Sequence, residues 1–315
     1  SNNPVGFNYT STNIVNGTLL GGTATGAYPL VRGQYNHRKD QIRTAGWANK
    51  FNFGSWSLLA DANYSEAKRD ETYLENNLQL QSATGGAFND PLMTVGWNMG
   101  RFATIAGKLD YSDPTKLFTG NSIYGYGSTY SPHLKDTLKS FKLAATLPAP
   151  ESLDAYLRGF DIGINYSDRT KTKRQPSGDL FATGNPTISS DLLYAPVDLG
   201  FAGAGVVPSW NVPAVIAKYF NPINYSLANN AGTISRAWDV HEKITTGYAR
   251  ANIESEWGAV SVRGNVGAQL LRTDQSSDSL YADAAGVAHP YSDGKTYNDV
   301  LPSMNLAFGL PSDQT

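Results

Sequence analysis

Four histidines, His37, His133, His241 and His289, are the only imidazoles in 315 residues, and no cysteine accompanies them. The absence of Cys removes thiolate nucleophiles, disulfides, thiolate zinc sites and iron–sulfur clusters together. The histidines fall in segments that read as loops or strand starts, and no HExxH, GxSxG or phosphate-cradling Gly loop is present. Asp110 and Asp113 have the spacing of two ligands in a cation loop, yet the rest of an EF-hand pattern is missing. A hydrolytic triad needs Ser, His and an orienting polar group near one strand end, and no such set can be assembled. The expectation is no enzyme, no metal and no cofactor.

Aromatic rings are plentiful instead: Tyr 18, Phe 12 and Trp 6. Long segments between the regular stretches hold Trp97, Phe102, Phe118, Tyr124, Tyr126 and Tyr130 in one stretch, and Trp210, Tyr225 and Trp238 among those of another. Rings with a polar rim stack on sugar faces or on hydrophobic ligands, so Trp97, Tyr124, Tyr126, Tyr130, Trp210, Tyr225 and Trp238 are the candidate ligand contacts. Long loops also need packed interiors of their own, and most of these rings are expected to supply them. Arg169, Lys171, Lys173 and Arg174 make a basic run suited either to anionic lipopolysaccharide or to a solvated loop base. Asn211 to Tyr219 predicts a short helix with an Asn cap and Val212, Val215, Ile216 and Tyr219 on one side, anchoring its loop.

The background in which these residues sit is unusual. Lys+Arg 25 nearly balances Asp+Glu 27, which gives no electrostatic reason to expect nucleic acid. Only 17% of residues are charged, against about 25% in an ordinary soluble domain. Mean hydropathy is nevertheless −0.35, and no run approaches the roughly 18 apolar residues of a membrane helix. A polar, aromatic chain with Gly 31 and no Cys points to β structure.

Period-2 patterning then supplies the elements. Apolar and polar residues alternate in seven segments, near 45–53, 56–65, 140–147, 159–167, 244–253, 260–270 and 300–310. Leu58, Ile162, Ile164, Val262, Val266 and Leu306 belong to the apolar faces; Lys50, Asp61, Lys142, Asp161, Arg263 and Asn265 belong to the polar ones. The segments run about 9–11 residues, the length a tilted strand needs to cross a bilayer. The polar faces are too hydrophilic for a sandwich core, so the first set is expected to face lipid and the second a wet lumen. A soluble antiparallel protein with one solvated face is the alternative. Trp47, Phe53, Trp56, Tyr64, Phe160, Tyr166 and Trp257 sit near strand ends, as an interfacial girdle or as ordinary packing. Tight links at 54–55, 148–158 and 254–259 alternate with long ones at 66–137, 170–243 and 274–296, the asymmetry of outer-membrane barrels. Pro302 predicts a bulge or an irregular strand end.

The motifs Arg263-Gly-Asn-Val-Gly267, Arg272-Thr-Asp-Gln-Ser-Ser277, Tyr297-Asn-Asp-Val-Leu-Pro-Ser-Met-Asn-Leu306 and Tyr166-Ser-Asp-Arg169, with the aromatic hairpin Ile42–Tyr64, resemble the barrel of TonB-dependent outer-membrane receptors. The nearest likeness is to the branch met in Caulobacter-, Xanthomonas- and Sphingomonas-like bacteria. That resemblance implies an all-β, up-and-down transmembrane barrel of about 22 strands with long extracellular loops, of which residues 1–315 would supply about seven. It also implies a plug and TonB-engaging segment, neither of which is found here, and residence in the outer membrane of a Gram-negative bacterium. Implied partners are outer-membrane lipid and lipopolysaccharide, the TonB complex, and a scarce nutrient, either a glycan or a ferric siderophore. No secretory signal can be read at the start, and both ends read as cuts within a longer barrel. A soluble or surface β-rich carbohydrate-binding or carbohydrate-degrading protein, and a passive porin-like channel, stay open as alternatives.

Overall fold

The computed structural model describes residues 8–25, 29–80, 93–96, 104–107, 109–120, 125–223, 225, 234 and 236–310. The chain divides into two compact units. The sheet unit comprises Lys39–Asp70, Pro132–Gln175 and Asn230–Thr315; the loop unit comprises Ser1–Arg38, Glu71–Ser131 and Pro176–Asn229. Described residues are mostly antiparallel strand, with one α-helix.

All seven expected segments are strands: β1 (Leu30–Phe53), β2 (Trp56–Leu80), β3 (His133–Pro148), β4 (Leu157–Arg174), β5 (Trp238–Trp257), β6 (Val260–Ala282) and β7 (Ala288–Gly309). Each pairs with its sequence neighbour, so the order β1-β2-β3-β4-β5-β6-β7 is an uncrossed meander. Among the described residues β1 and β7 have no second partner in the sheet, which is open and forms no closed barrel.

The strands are 16 to 25 residues long, well beyond the expected span. Alternation of apolar with polar residues marks only the part of a strand whose two faces meet different surroundings; beyond it both faces are polar and the sequence signal fades. The same reason corrects the third long link. β6 and β7 continue until only residues 283–287 separate them. At that tip the Asp283 carboxylate accepts from the backbone N–H of Ala285 (2.9 Å) and Val287 (2.8 Å) and pairs with His289 Nε2 (2.8 Å). His133, His289 and His241 stand at or near strand starts, whereas His37 lies inside β1 rather than in a loop or at a strand start.

Two further expectations are corrected. Val262 is 1% exposed and cannot face outward as a free surface residue. It stands near the start of β6, between Ser255 of β5 and Phe308 of β7 in the ladder. Pro302 makes no bulge, since it pairs in register with Ala268. Its strand is the sheet edge, where a missing N–H donor costs least.

The loop unit has architecture that alternation did not disclose. Asn8–Val15 and Thr18–Thr25 form a hairpin around Asn16-Gly17, both with positive φ (50° and 76°), as a two-residue primed turn requires. Met93–Gly96 and Thr104–Gly107 complete its four-stranded sheet. A second hairpin pairs Leu193–Asp198 with Val206–Trp210 and leads into α1 (Val212–Tyr219). The Asn cap is confirmed: Asn211 Oδ1 accepts from Ala214 N at 3.2 Å, and Val212, Val215 and Ile216 are buried. They join Leu78, Leu80, Leu117, Leu180, Ile188 and Trp210 in one apolar cluster.

The Asp283 carboxyl is held below the usual carboxylate range, first by His289 and then by the Val287 and Ala285 amides. Its ionised form is thus favoured by folding, so its contribution is present above the ordinary carboxylate pKa and is lost as pH falls through the lowered value. Protection of the Ala285 and Val287 amides, measured against their intrinsic exchange rates, should be lost as pH falls below the ordinary carboxylate value of about 3.9, and Asp283→Asn should abolish that step.

Candidate functional site

Within the sheet unit, the two faces of the ladder differ residue by residue. One cross-strand row reads Leu58, Ala145, Ile162, Ala249, Ala268, Pro302; the next reads Ala60, Leu143, Ile164, Gly247, Leu270, Val300. No side chain in either row carries a polar atom. Ile162 is 42% exposed, Ile164 46% and Val300 65%. Leu58 and Leu306 are partly exposed and Val266 is exposed on this same face. Two rows further along, the face changes to Tyr64, Lys139, Asp168, Lys243, Asp274, Thr296. The apolar band therefore ends in a line of charges of alternating sign.

The opposite face carries the expected polar set. Asp61 lies opposite Lys142, which lies opposite Asn165; Asn265 lies between Asn252 and Asn305, and Arg263 between Glu254 and Ala307. A hollow of about 750 Å³ opens here, lined by Lys50, Lys142, Asp161, Asn165, Arg250 and Asn265 among others. Asp161 is its most connected group. Its carboxylate accepts from Arg250 Nη2 (2.6 Å) and Nε (3.1 Å), from Asn252 Nδ2 (2.7 Å) and from Thr146 Oγ1 (2.7 Å). These donors come from the strands on both sides, so a single carboxylate ties β3, β4 and β5. Asp61 accepts from Asn63. Arg263 reaches Glu254 at 3.8 Å, and Glu254 also binds Arg158 at 3.1 Å.

Tyr248 also lines the hollow, and sequence reasoning did not single it out. A Cβ built at Gly163 would lie 2.7 Å from its ring, so the ring lies directly over the glycine. Only Gly at 163 permits that approach. The available signal was a glycine in an otherwise regular strand, which marks close approach of another group.

The candidate ligand aromatics have varied placements. Trp97 and Tyr124 lie outside the described residues. Trp210 departs from the expectation of a binding surface: it is 5% exposed, and its Nε1 donates to Asn76 Oδ1 at 2.9 Å. Its indole covers Gly33 as Tyr248 covers Gly163. A loop needs an interior before it can present a surface, and this indole provides it. Trp210 also forms one wall of a second hollow of about 550 Å³ in the loop unit, with Tyr111, Val197, Leu199 and Val207. Tyr130 stacks on Tyr73 at 4.3 Å, and Tyr126 contacts the rings of Phe181 (6.0 Å) and Phe220 (6.4 Å). Tyr225 is exposed, with its hydroxyl 3.2 Å from Thr129 Oγ1. In the sheet unit, Lys171 Nζ lies 5.8 Å from the centre of the Trp238 ring. Arg174, of the same basic run, forks onto Asp239 at 2.8 and 2.9 Å.

Two histidines have carboxylate partners: His133, exposed, lies 2.7 Å from Asp70, and His289, partly buried, lies 2.8 Å from Asp283 and stacks on Tyr281. Among the described residues no cluster of His, Asp and Glu could hold a metal.

Trp210→Ala should destabilise the loop unit by about 3–5 kcal/mol, the range for truncating a buried large aromatic. Tyr194→Ala, at an exposed position of the adjoining hairpin, should stay within about 0.5 kcal/mol. Limited proteolysis of residues 176–229 in the two variants reads the difference. Comparison of the chain with protein families, with curated proteins and with solved structures finds no match.

Proposed function

We propose that this chain builds part of the wall of an outer-membrane β-barrel of the TonB-dependent receptor kind, importing a scarce nutrient, a glycan or a ferric siderophore. Energy would reach it through TonB from the inner membrane. The observation that carries the reading is the exposed apolar band. Two full ladder rows, six strands wide, hold no polar side-chain atom, while the reverse of the same sheet is lined by Lys, Asp, Arg and Asn. Water is a poor solvent for the first face and a good one for the second. Along β2 the band runs nine residues, Trp56 to Tyr64, against the 9–11 that a tilted strand uses to cross hydrocarbon.

Aromatic residues at the limits of the band support the same reading. Phe53 and Trp56 stack at the turn (4.4 Å between centroids), and Trp257 is exposed beside the β5–β6 turn. Tyr64 and Tyr166 lie on the apolar face next to where it turns polar. Amphipathic rings favour such a boundary between hydrocarbon and water.

The open edges set a condition on closure. β1 and β7, as first and seventh of an antiparallel meander, run the same way. Closing the sheet with antiparallel pairs throughout then requires an odd number of further strands, which restores the even total of bacterial barrels. In this reading the chain performs no covalent step; its part is to hold a wet interior and to carry the loops that meet the ligand.

Ile162→Arg or Ile164→Arg should cost about 2–4 kcal/mol of barrel stability, the usual penalty for a cation at mid-bilayer. Asn165→Arg, on the reverse face one residue along, should be much milder. Heat-modifiability of detergent-extracted protein on gels reads the folded fraction. Equal damage from the two sets would overturn the membrane reading, as would a chain that stays folded and monomeric in plain buffer.

A further inference from the structure

We infer that the hollow on the polar face of the sheet unit selects small hydroxylated anions over neutral and cationic solutes of the same shape. The inference deepens the transport reading and rests on it for its physiological meaning, although the binding itself does not depend on a membrane. The argument begins with which cations of this face are already engaged. Arg69 forks onto Asp40 (2.8 and 3.3 Å), Arg169 onto Asp136 (2.9 and 2.6 Å) and Arg250 onto Asp161. Each fork joins neighbouring strands, and in each the positive charge is cancelled where it stands. A guanidinium suits that duty because its planar donors match a carboxylate.

The lysines are treated differently. Lys50 and Lys142 both line the hollow, and among the described residues neither makes an ion pair or a hydrogen bond. Asp61 faces Lys142 across the ladder, but its carboxylate is engaged by Asn63 and no ion pair joins the two. Since Asp161 and Arg250 cancel each other, the lining itself keeps the two lysine charges, with the Asp61 carboxylate at its margin opposite Lys142 and outside the lining. An ammonium on a flexible stem can turn its three donors towards a mobile anion, and a concave wall concentrates the field of such charges.

The rest of the lining suits the remainder of such a solute. Tyr248 presents a ring held flat over Gly163, and Asn165, Asn265 and Gln269 supply amides. Rings and amides recognise hydroxylated carbon skeletons without regard to charge; the two ammonium groups add the sign.

Three sugars of one ring size and different charge test the inference: glucuronate, glucose and glucosamine. Their binding to the purified full chain is measured in detergent micelles and again in plain buffer, by saturation-transfer NMR. Glucuronate should bind saturably and at least about tenfold more tightly than glucose, with glucosamine weakest, as expected when charge-assisted contacts are gained or lost. The preference should shrink with added salt. Lys50→Gln with Lys142→Gln should remove the preference while Lys50→Arg with Lys142→Arg keeps it, and both proteins should stay folded, since neither lysine pairs with a structural partner. Equal binding of the three sugars, no binding at all, or an undiminished preference in the double Gln variant would overturn the inference and leave the membrane reading untouched. Folding in plain buffer with the charge preference intact would support the inference while overturning the membrane reading, so the two fail separately.

Discussion

The structure depends on the strict alternation of side chains along paired strands. Because successive residues point to opposite faces, a register slip of one residue would carry every apolar side chain of a strand to the wet face. In β3 through β7 the ladders run in register over nearly their whole length, with one irregularity between Leu157 and Gly159. That continuity aligns Leu58, Ala145, Ile162, Ala249, Ala268 and Pro302 across six strands. It also places the lysines, Asp161 and Tyr248 around one hollow.

The location of buried apolar mass follows from the same constraint. A single sheet with one hydrophilic face has no interior of its own, and the sheet unit buries few apolar residues: Ile234, Ala237 and Val262 among those described. The loop unit has a packed cluster around Trp210, Leu78 and α1. An ordinary globular domain would bury its strands and expose its loops. Here the loop unit holds the packed cluster, and the strands of the sheet unit leave their apolar face largely exposed.

Arg–carboxylate forks reinforce the pairing across the polar face. Half-exposed ion pairs contribute modestly one at a time. Their value here is positional: two-donor geometry holds neighbouring strands at one register and cancels the arginine charge where it stands. Lys50 and Lys142 take no part in such forks, so cross-strand fixation on this face falls to the arginines.

Much of this was legible from residue order alone. Seven strands, their sequence, the two faces, the tight turn at Gly54-Ser55 and the Asn211-capped helix all follow from period 2, period 3.6 and capping chemistry, which are local rules. Other features depend on what lies beside a residue in space. Val262 carries the same pattern as Val266, yet it is buried where Val266 is 44% exposed. Trp210 has the look of a ligand platform, yet Asn76 and Gly33, far off in the chain, make it a core residue. Strand ends beyond the apolar band escaped notice because both of their faces are polar. The pairing of each arginine with its carboxylate, and so the freedom of Lys50 and Lys142, arises only when register brings distant positions together. Alternation told which way each side chain would point; tertiary structure decided what it would meet there.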